Sequence, residues 1–402
     1  MKVLIAGAGI AGPATAIALR KAGIASVLYE AYPEDATNAG AFVTIAANGQ
    51  DALHAIGAHD PVHEASFPAS RMRIFDPAGS QVADIPLGRD HPGPRTITRS
   101  RLTAVLRDEA AARGVPVEYG KRLTTATTAG TGVRAFFADG AHADGDVLIG
   151  ADGIHSPVRT AIDPATPDPR YTGLMIACGY ADTHATTDPG CYDMIHGSRA
   201  FLGHTAGPDG RAWWFARVPA PELTARDLTA PAHYWRDQLA DAFAADSTPA
   251  ATLIRSTSDP ITVTSAYDIA SLPTWHNATM TVTGDAAHAA SPSTAQGASM
   301  ALEDAAVLAQ CLRDAPAIPE ALTLFEELRR DRVERIVQAG ASAQNPAPPS
   351  PPTGPRRGNP AEWLYGHHID WHATVTLLRQ APLVPADSDR GNQQPPGPRP
   401  LS

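Results

Sequence analysis

KVLIAGAGIAGPATAIALRKAGIASVLYE, residues 2–30, is the stretch that decides the fold class of this chain. Residues 3–6 form a short apolar run that is typical of a buried parallel strand. A glycine-rich turn follows at residues 7–12, and residues 14–22 have the apolar spacing of a helix. Residues 26–30 form a second short strand. The order strand, glycine turn, helix and strand predicts a βαβ unit at the start of an α/β protein.

Gly7, Gly9 and Gly12 form the pattern G-x-G-x-x-G between the first strand and the first helix. The first glycine permits a tight turn, the second lets a pyrophosphate approach the backbone, and the third lets helix and strand pack closely. The helix N-terminus adds free N–H groups and a positive dipole for phosphates. Glu30 ends the second strand and is placed to accept hydrogen bonds from ribose hydroxyls, which disfavours a 2′-phosphate. A glycine-rich turn of some other α/β protein is the alternative at this point.

Composition excludes several classes of function. The 402 residues are enough for two or three domains, and 43% hydrophobic residues exclude global disorder. The formal charge of −10 argues against nucleic acid or an anionic membrane as a partner. Cys178, Cys191 and Cys311 are too widely spaced for a disulfide framework, a thiolate zinc site or a redox pair. We therefore expect a cytoplasmic protein with no membrane span and no metal site.

Two further motifs place a carboxylate at the end of an apolar strand. In residues 145–159, GDVLIGADGIHSPVR, the strand leads into the turn Asp152-Gly153. In residues 278–283, ATMTVT, the strand leads into Gly284-Asp285, and a loop containing proline and glycine then reaches a helix that starts near Gly297. A carboxylate followed by a loop aimed at a helix N-terminus suits a polar ligand that extends from ribityl hydroxyls to an electron-accepting ring.

Together, GAGIAG, GDVLIGADGIHSPVR and GDAAHAASPSTAQGASMALEDA resemble the class A FAD-dependent monooxygenases, which have the para-hydroxybenzoate hydroxylase fold and include aromatic and polyketide-type hydroxylases. The resemblance covers roughly residues 1–340. The residues that it assigns to the cofactor are Gly7, Gly9, Ala11, Gly12, Glu30, Arg99, Leu123, Asp152, Gly153, Asp285, Pro292, Gln296, Gly297 and Ala298.

The resemblance also implies a role for each part of this set. The first motif and Glu30 hold the ADP half of FAD, Arg99 contacts the phosphate and ribose region, and Leu123 lies near the adenine. The Asp152 motif lies near the pyrophosphate and serves both FAD and NAD(P)H binding. Asp285 bonds the ribityl chain, and the backbone at residues 296–298 faces the isoalloxazine ring. This sequence departs from the family at Ala295, where glycine is common, and at residues 36–40, where many relatives carry an arginine.

The predicted architecture is an α/β fold. It has a Rossmann-like FAD-binding domain made of residues 1–168 and 270–343, an inserted, mainly antiparallel β-sheet substrate domain at residues 169–269, and C-terminal helices. Residues 253–264 are expected to form a strand. Residues 344–402 form a proline-rich strap and tail, in which residues 359–378 are expected to dock as a helix because Trp363 and Trp371 are too apolar for solvent. The stretch from residue 382 is expected to be disordered.

Substrate residues can be proposed only by type, within the segment expected to cover the flavin ring. Met175, Phe201, Trp213 and Phe215 are the apolar and aromatic candidates, and they indicate an aromatic or polycyclic small molecule. Histidines elsewhere are assigned structural roles: His288 is expected to stabilise its loop. His367, His368 and His372 could offer two imidazoles on one helix face but lack further ligands.

The leading hypothesis is an NAD(P)H-dependent flavoprotein monooxygenase. Reduced FAD would react with O2 at C4a, and the hydroperoxide would pass one oxygen to the substrate, so that the chemistry resides on the flavin and no catalytic side chain is assigned. A single dinucleotide motif fits transient NAD(P)H binding. Two alternatives stay open: a related flavoprotein that does not oxygenate, such as a halogenase or a double-bond reductase, and a FAD-bound scaffold without activity. The oligomeric state and the role of residues 344–402 also stay open.

Overall fold

The computed structural model describes residues 1–34, 41–88, 93–184, 187–258, 260–342 and 361–375. The predicted proline-rich linker, the predicted disordered tail and the divergent stretch 36–40 lie outside these ranges. The strands are β1 Lys2–Ala6, β2 Ala25–Tyr29, β3 Phe42–Ile45, β4 Phe67–Pro68, β5 Arg71–Phe75, β6 Gln81–Pro86, β7 Arg95–Thr98, β8 Val117–Glu118, β9 Leu123–Ala129, β10 Gly132–Phe137, β11 His142–Gly145, β12 Val147–Gly150, β13 Arg170–His184, β14 Cys191–His196, β15 Phe201–Ala206, β16 Arg211–Pro219, β17 Thr262–Asp268 and β18 Met280–Val282. The helices are α1 Ala11–Lys21, α2 Ala47–Ile56, α3 His59–Glu64, α4 Arg99–Ala112, α5 Pro157–Ile162, α6 Ala225–Leu228, α7 Ala232–Ala242, α8 Ala250–Arg255, α9 Asp285–His288, α10 Gly297–Asp314, α11 Ile318–Ser342 and α12 Glu362–Tyr365.

A five-stranded parallel sheet forms the centre of the FAD-binding part, in the order β18-β12-β1-β2-β8. Its central strand β1 buries residues 3–6, as expected for a strand covered on both faces. Helix α1 buries residues 11–19 and packs against α10. The predicted Rossmann-like α/β fold with an antiparallel sheet and C-terminal helices is confirmed.

The second large sheet has seven strands in the order β17-β13-β16-β15-β14-β5-β6 and is antiparallel except for the pair β14–β5. Helices α7 and α8 cover one face, where Trp214 is fully buried. The predicted domain limits need one amendment, because β5 and β6 come from residues 71–86, which were assigned to the FAD-binding domain. They belong to this sheet because β5 pairs in parallel with β14, and β6 pairs with β5.

A small sheet has the order β3-β7-β4, and its strand β3 packs against α10. The hydroxyls of Thr44 and Thr96 lie 3.1 and 2.7 Å from the phenolic oxygen of Tyr192 on β14. Burial raises the pKa of Tyr192 to about 12, so its hydroxyl stays protonated. These contacts hold the small sheet against the seven-stranded sheet.

Two local predictions are wrong. Residues 253–264 form the end of α8 and the start of β17 instead of one strand, because Leu253 and Ile254 pack as a helical turn against the core beneath the sheet. The predicted helix over residues 359–378 is a single turn at Glu362–Tyr365 within the described residues.

The segment 361–375 nevertheless docks on the protein, as its aromatic residues predicted. Arg332 donates hydrogen bonds to the carbonyls of Trp363 and Leu364, and Arg313 donates to the carbonyl of Trp371. Trp371 is buried, with the Lys21 ammonium 4.6 Å from its ring centroid. Main-chain carbonyls and the buried Trp371 ring therefore attach this strap to α1, α10 and α11.

No helix in the described part of the chain is long and apolar enough to cross a membrane.

Candidate functional site

The three sequence motifs and Glu30 meet at one edge of the parallel sheet. Strands β18, β12, β1 and β2 are neighbours and run in the same direction, so their carboxyl ends lie side by side. Gly7 follows β1, Glu30 follows β2, Asp152 follows β12 and Gly284 follows β18. Ligands of open α/β sheets bind at this edge.

The three glycines of the first motif have different surroundings. Gly7 has φ +97°, and a Cβ there would lie 2.8 Å from the carbonyl carbon of Ala151. A Cβ on Gly12 would collide with the carbonyl oxygen of Gly7, whereas a Cβ on Gly9 would meet nothing within 4 Å. Gly7 and Gly12 are therefore required by the fold, and the space beside Gly9 is open to a ligand.

The third motif touches the first. Gly284 has φ +59°, and a Cβ there would lie 3.0 Å from the Cβ of Ala11. Asp285 follows, half-buried, and its carboxylate has no hydrogen-bond partner among the described residues. A Cβ on Gly297 would lie 3.9 Å from Asp285 Oδ1, which places the first turn of α10 beside this carboxylate.

In the second motif, the Asp152 carboxylate has unused hydrogen-bonding capacity. Its Oδ2 accepts a hydrogen bond from the Val158 N–H at 3.2 Å, while its Oδ1 is buried without a partner. Burial raises the pKa of Asp152 to about 6, although a hydrogen bond from Ser156 opposes this shift. Arg159 links the second motif to the third by donating to the carbonyls of Ile154 and Ala286, at 2.7 and 3.0 Å.

Glu30 receives protein donors at both oxygens. Its Oε2 accepts from the Ala8 N–H at 2.8 Å and from Arg107 Nη2 at 3.2 Å, and its Oε1 accepts from the Tyr32 N–H at 3.0 Å. Arg107 also donates from Nε to the Ala8 carbonyl at 2.6 Å. The sequence reasoning missed Arg107, which holds the glycine turn and Glu30 together. The available signal was its place two helical turns after Arg99 on the same helix.

Arg99 and Leu123 lie at different depths. Arg99 is exposed at the start of α4, where its N–H donates to the Ala41 carbonyl at 2.9 Å. Leu123 is buried at the start of β9, two residues after Lys121, whose N–H donates to the Glu30 carbonyl at 2.7 Å. The contacts of both residues with a cofactor stay a prediction.

A buried ion network supports the third motif from behind. Asp304 Oδ2 accepts from the Gly284 N–H at 3.0 Å and lies 2.6 Å from His288 Nε2, while its Oδ1 accepts from Arg329 Nε at 2.8 Å. Burial by itself would raise the pKa of Asp304, but His288 and Arg329 outweigh it and hold this pKa well below the ordinary value. His288 therefore stabilises the loop, as expected from the sequence.

The loop before α10 carries the departure from the family noted in the sequence. Ala295 lies in the left-handed region at φ +52°, ψ +32°, after a 3₁₀ turn at Pro292–Thr294, and it is the one described non-glycine residue with a positive φ. Glycine, which the family resemblance places at this position, adopts this conformation without the Cβ clash. At the next residue, the buried Gln296 Oε1 accepts from Asn48 Nδ2 at 2.9 Å.

The N-terminus of α10 is free of side-chain caps. No side chain caps the helix at Gln296, so the N–H groups of Gly297 and Ala298 are available at the end of an 18-residue helix. Pro292, at the far side of the loop, is exposed.

An aromatic wall, consisting of Phe42, Phe201, Trp213 and Phe215, covers the other face of the seven-stranded sheet. Phe42 lies 5.6 Å from Trp213 and 5.8 Å from Phe215 between ring centroids, and Phe201 lies 5.9 Å from Phe215. Because Phe42 comes from β3, this wall faces the FAD-binding part.

Met175 does not belong to the aromatic wall. It pairs with Val218, and side chains alternate along β16, so Met175 points to the same side as Trp214 and the helices α7 and α8. The choice by residue type could not detect this, since the face depends on register. Met175 is therefore withdrawn from the substrate candidates.

The strap histidines His367, His368 and His372 do not share a helix face, because α12 ends at Tyr365. No group of three metal-ligating side chains exists among the described residues. His368 instead lies with Nδ1 2.7 Å from Asp51 Oδ1. His367 has its pKa lowered to about 4, chiefly by burial.

These residues fit FAD. The orphaned Oδ1 of Asp152, the open space beside Gly9, the unpartnered carboxylate of Asp285 and the uncapped α10 N-terminus lie along one edge of the sheet. Hydroxyls, phosphates and a ring with acceptor atoms have matching partners there.

Comparisons with known proteins identify the family. A model described as FAD binding domain matches residues 1–340. The aurachin C monooxygenase/isomerase of Stigmatella aurantiaca is 31% identical over 84% of this chain and 87% of its own length, and the FAD-dependent urate hydroxylase of Klebsiella pneumoniae is 31% identical over 84% and 88%. The structure of Klebsiella pneumoniae HpxO complexed with FAD and uric acid is 27% identical, covers 95% of this chain and 93% of that one, and superposes with a TM-score of 0.78. The chain therefore belongs to this FAD-binding family and is a FAD-dependent monooxygenase of class A.

Proposed function

We propose that this enzyme uses NAD(P)H and O2 to oxygenate an aromatic or polycyclic small molecule held between the aromatic wall and the loop before α10. The observation that carries the proposal is the hydrogen bond between Arg217 Nη1 and Ser293 Oγ, at 2.6 Å. It joins the aromatic face of the seven-stranded sheet to the loop that precedes the cofactor-facing turn. Uric acid and aurachin C in the names of two relatives support a planar, ring-containing substrate.

The cofactor roles are proposed as follows. Backbone N–H groups beside Gly9 and the N-terminus of α1 bind the pyrophosphate, and Asp285 accepts a hydrogen bond from the ribityl chain. Glu30 is held by Ala8 and Arg107, so its position is set before a ribose arrives. The N–H groups of Gly297 and Ala298 face the acceptor atoms of the flavin ring.

The protein itself contributes positioning and exclusion of water. FAD, when bound, supplies the redox chemistry: it accepts a hydride from NAD(P)H and activates O2. Overall, substrate, O2, NAD(P)H and one proton give oxygenated substrate, NAD(P)⁺ and water. Phe42, Trp213 and Phe215 supply flat apolar surface that orients a ring and keeps water away.

A cytoplasmic location is proposed with this function. The three cysteines, Cys178, Cys191 and Cys311, are all buried free thiols, which suits a reducing compartment. Burial raises the pKa of Cys178 and of Cys311 to about 12, so these two thiols are unreactive at neutral pH.

The test combines three measurements on FAD-loaded protein: NAD(P)H oxidation, hydrogen peroxide formation and product mass under ¹⁸O2. A substrate should increase NAD(P)H consumption and incorporate one labelled oxygen, with little peroxide. Turnover of NAD(P)H with a chemically reduced or halogenated product and no label would favour the non-oxygenating alternative. Protein that binds FAD but is not reduced in the presence of any tested aromatic would contradict the proposal.

A further inference from the structure

The docked strap, residues 361–375, is bonded to helix α2, which packs against α10. Asp51 on α2 lies with Oδ1 2.7 Å from His368 Nδ1, and its Oδ2 accepts a hydrogen bond from the Ile369 N–H at 2.7 Å. Asn48 lies about one helical turn before Asp51 on the same helix. The strap is therefore attached close to the N-terminal end of α2.

Helix α2 in turn holds the ring-side turn, residues 295–298, which leads into and begins α10. The buried Asn48 Nδ2 donates a hydrogen bond to Gln296 Oε1 at 2.9 Å. A Cβ on Gly49 would lie 2.6 Å from Ser299 Oγ, so the two helices are in close contact at this point. A movement of α2 would therefore be passed on to the turn whose N–H groups are proposed to face the flavin ring.

A second route joins the strap to Asn48 through buried charges. Arg332 on α11 donates to the carbonyls of Trp363 and Leu364, at 2.7 and 3.0 Å. It also donates to both carboxylate oxygens of Glu303, at 2.8 and 2.7 Å. Glu303 Oε1 then accepts a hydrogen bond from Asn48 Nδ2 at 2.6 Å. A continuous series of hydrogen bonds thus runs from the main chain of the strap to the amide that holds the ring-side turn.

The charge of Glu303 determines which way the Asn48 amide faces. Burial by itself would raise the pKa of Glu303, but Arg329 and Arg332 outweigh it and hold this pKa well below the ordinary value. An ionised carboxylate can only accept hydrogen bonds, so Asn48 turns its NH2 group towards it. Asn48 Oδ1 and Gln296 Nε2 are consequently buried without a partner among the described residues. Two unsatisfied polar atoms are unfavourable, so this orientation is imposed by Glu303 and not by the two amides themselves.

We propose that Asn48 is a positioning residue through which the docked strap sets the ring-side turn of the FAD site. The inference rests on the proposed placement of the Gly297 and Ala298 N–H groups at the flavin ring, and it gives the strap a role in cofactor binding. Asn48 acts through Gln296, which directly precedes these N–H groups in the chain. Because coupling between two sites is reciprocal, the docked strap should favour FAD binding and bound FAD should favour the docked strap.

Hydrogen exchange followed by mass spectrometry tests the reciprocal effect without substrate, NAD(P)H or turnover. FAD-free and FAD-loaded wild-type protein are compared, and α7 is the internal reference because it covers the face of the seven-stranded sheet opposite the aromatic wall. FAD should slow the exchange of residues 361–375 at least about 5-fold more than that of α7, the lower end of usual coupling free energies. Equal changes in the two segments, or no change in the strap, would overturn the proposal.

Asn48→Ala and Gln310→Ala form a matched pair, since each removes one buried amide. Gln310 Nε2 donates to the strap carbonyl of Asp370 at 2.9 Å, but it lies about four turns beyond Gln296 along α10. In Asn48→Ala, bound FAD should no longer slow the exchange of the strap beyond that of α7, whereas Gln310→Ala should keep the wild-type effect of FAD. An undiminished effect in Asn48→Ala, or an equal loss in both variants, would refute the route through Asn48.

A double variant tests whether the strap and Asn48 act on FAD by the same route. Trp371→Ala, which removes the buried anchor of the strap, and Asn48→Ala should each weaken FAD binding about 5-fold or more. The double variant should bind FAD no more weakly than the weaker of the two single variants. Losses that multiply, or a wild-type FAD affinity in either single variant, would contradict the proposal. The exchange experiment on wild-type protein stands even if Trp371→Ala fails to fold.

This proposal and the proposed oxygenation can fail separately. If labelled oxygen enters a product but FAD leaves the exchange of the strap unchanged relative to α7, the role of Asn48 is wrong and the oxygenation stands. If FAD slows the exchange of the strap through Asn48 but no labelled oxygen enters any product, the oxygenation is wrong and the role of Asn48 stands.

Discussion

Gly7 and Ala151 are in such close contact that no side chain fits between them. A Cβ on Gly7 would lie 2.8 Å from the carbonyl carbon of Ala151 and 3.0 Å from the Cα of Asp152. The turn after β1 is therefore packed directly on the turn after β12. This contact joins two motifs that are more than 140 positions apart in the sequence.

Substitutions at Gly7 and Gly9 should separate an effect on folding from an effect on cofactor binding. Gly7→Ala should destabilise the protein by several kcal/mol, roughly 1–2 from the positive φ and more from the backbone overlap. Gly9→Ala should leave the unfolding free energy of FAD-free protein nearly unchanged, because a Cβ there meets nothing within 4 Å, but it should reduce FAD content. Urea unfolding and the absorbance of bound flavin measure the two effects. A Gly9→Ala protein with full FAD content would contradict the pyrophosphate assignment.

Asp285 and Asp304 should behave in opposite ways. Asp285 has no partner among the described residues, so Asp285→Ala should leave FAD-free stability intact and weaken FAD binding about 10- to 150-fold, the value of a charge-assisted hydrogen bond of about 1.5–3 kcal/mol. Asp304→Ala leaves His288 buried without its carboxylate and removes one of the two carboxylates paired with Arg329, and it should cost about 3–5 kcal/mol of stability. Equilibrium dialysis of FAD and urea unfolding check both. If Asp285→Ala binds FAD with wild-type affinity, the assignment of Asp285 to the cofactor site is wrong.

Asp152 should make stability depend on pH in a defined window. Its pKa is raised from 3.8 to about 6 on folding, so the folded protein favours the protonated form. The contribution of the protonated Asp152 carboxyl to the free energy of unfolding is complete below about pH 4. It is lost as the pH rises through 6, and the loss is roughly 3 kcal/mol at most. In FAD-free protein, Asp152→Asn should therefore gain stability relative to wild type between pH 4 and 6, and the difference should be constant above pH 7. A stability difference between wild type and Asp152→Asn that does not change with pH would show that the pKa of Asp152 is not shifted.

Trp371 should anchor the strap. Its ring is buried beside Lys21 and Arg313, and Trp371→Ala should cost about 3–5 kcal/mol if the segment folds cooperatively with the rest. His372→Ala, at an exposed neighbouring position, is the control and should change stability by less than about 0.5 kcal/mol. Unfolding curves and limited proteolysis distinguish them. Rapid cleavage near the strap with an unchanged global transition would mean that it docks without contributing to the core.

Local patterns sufficed for the part of the fold that binds the cofactor. Few structures are compatible with a short apolar strand followed by Gly7, Gly9 and Gly12. The reason is that each glycine is required for a different steric reason: the tight turn, the approach of a pyrophosphate and the packing of helix on strand. The strand ends at Asp152 and Gly284 could be recognised for the same reason: a parallel strand is apolar throughout, and a polar turn marks its carboxyl end. Neighbouring parallel strands then bring these ends to one edge.

The amino-acid sequence by itself determined the α/β class, the order of the motifs and the family, since those depend on residue type and short spacing. Only the tertiary structure decided which face of its strand Met175 occupies, because that face depends on pairing with β16. It also decided that Arg107 reaches Glu30 and that Arg217 donates a hydrogen bond to Ser293. Such pairings join residues far apart in the chain, so their geometry follows from the packing of whole sheets and helices and from no local pattern.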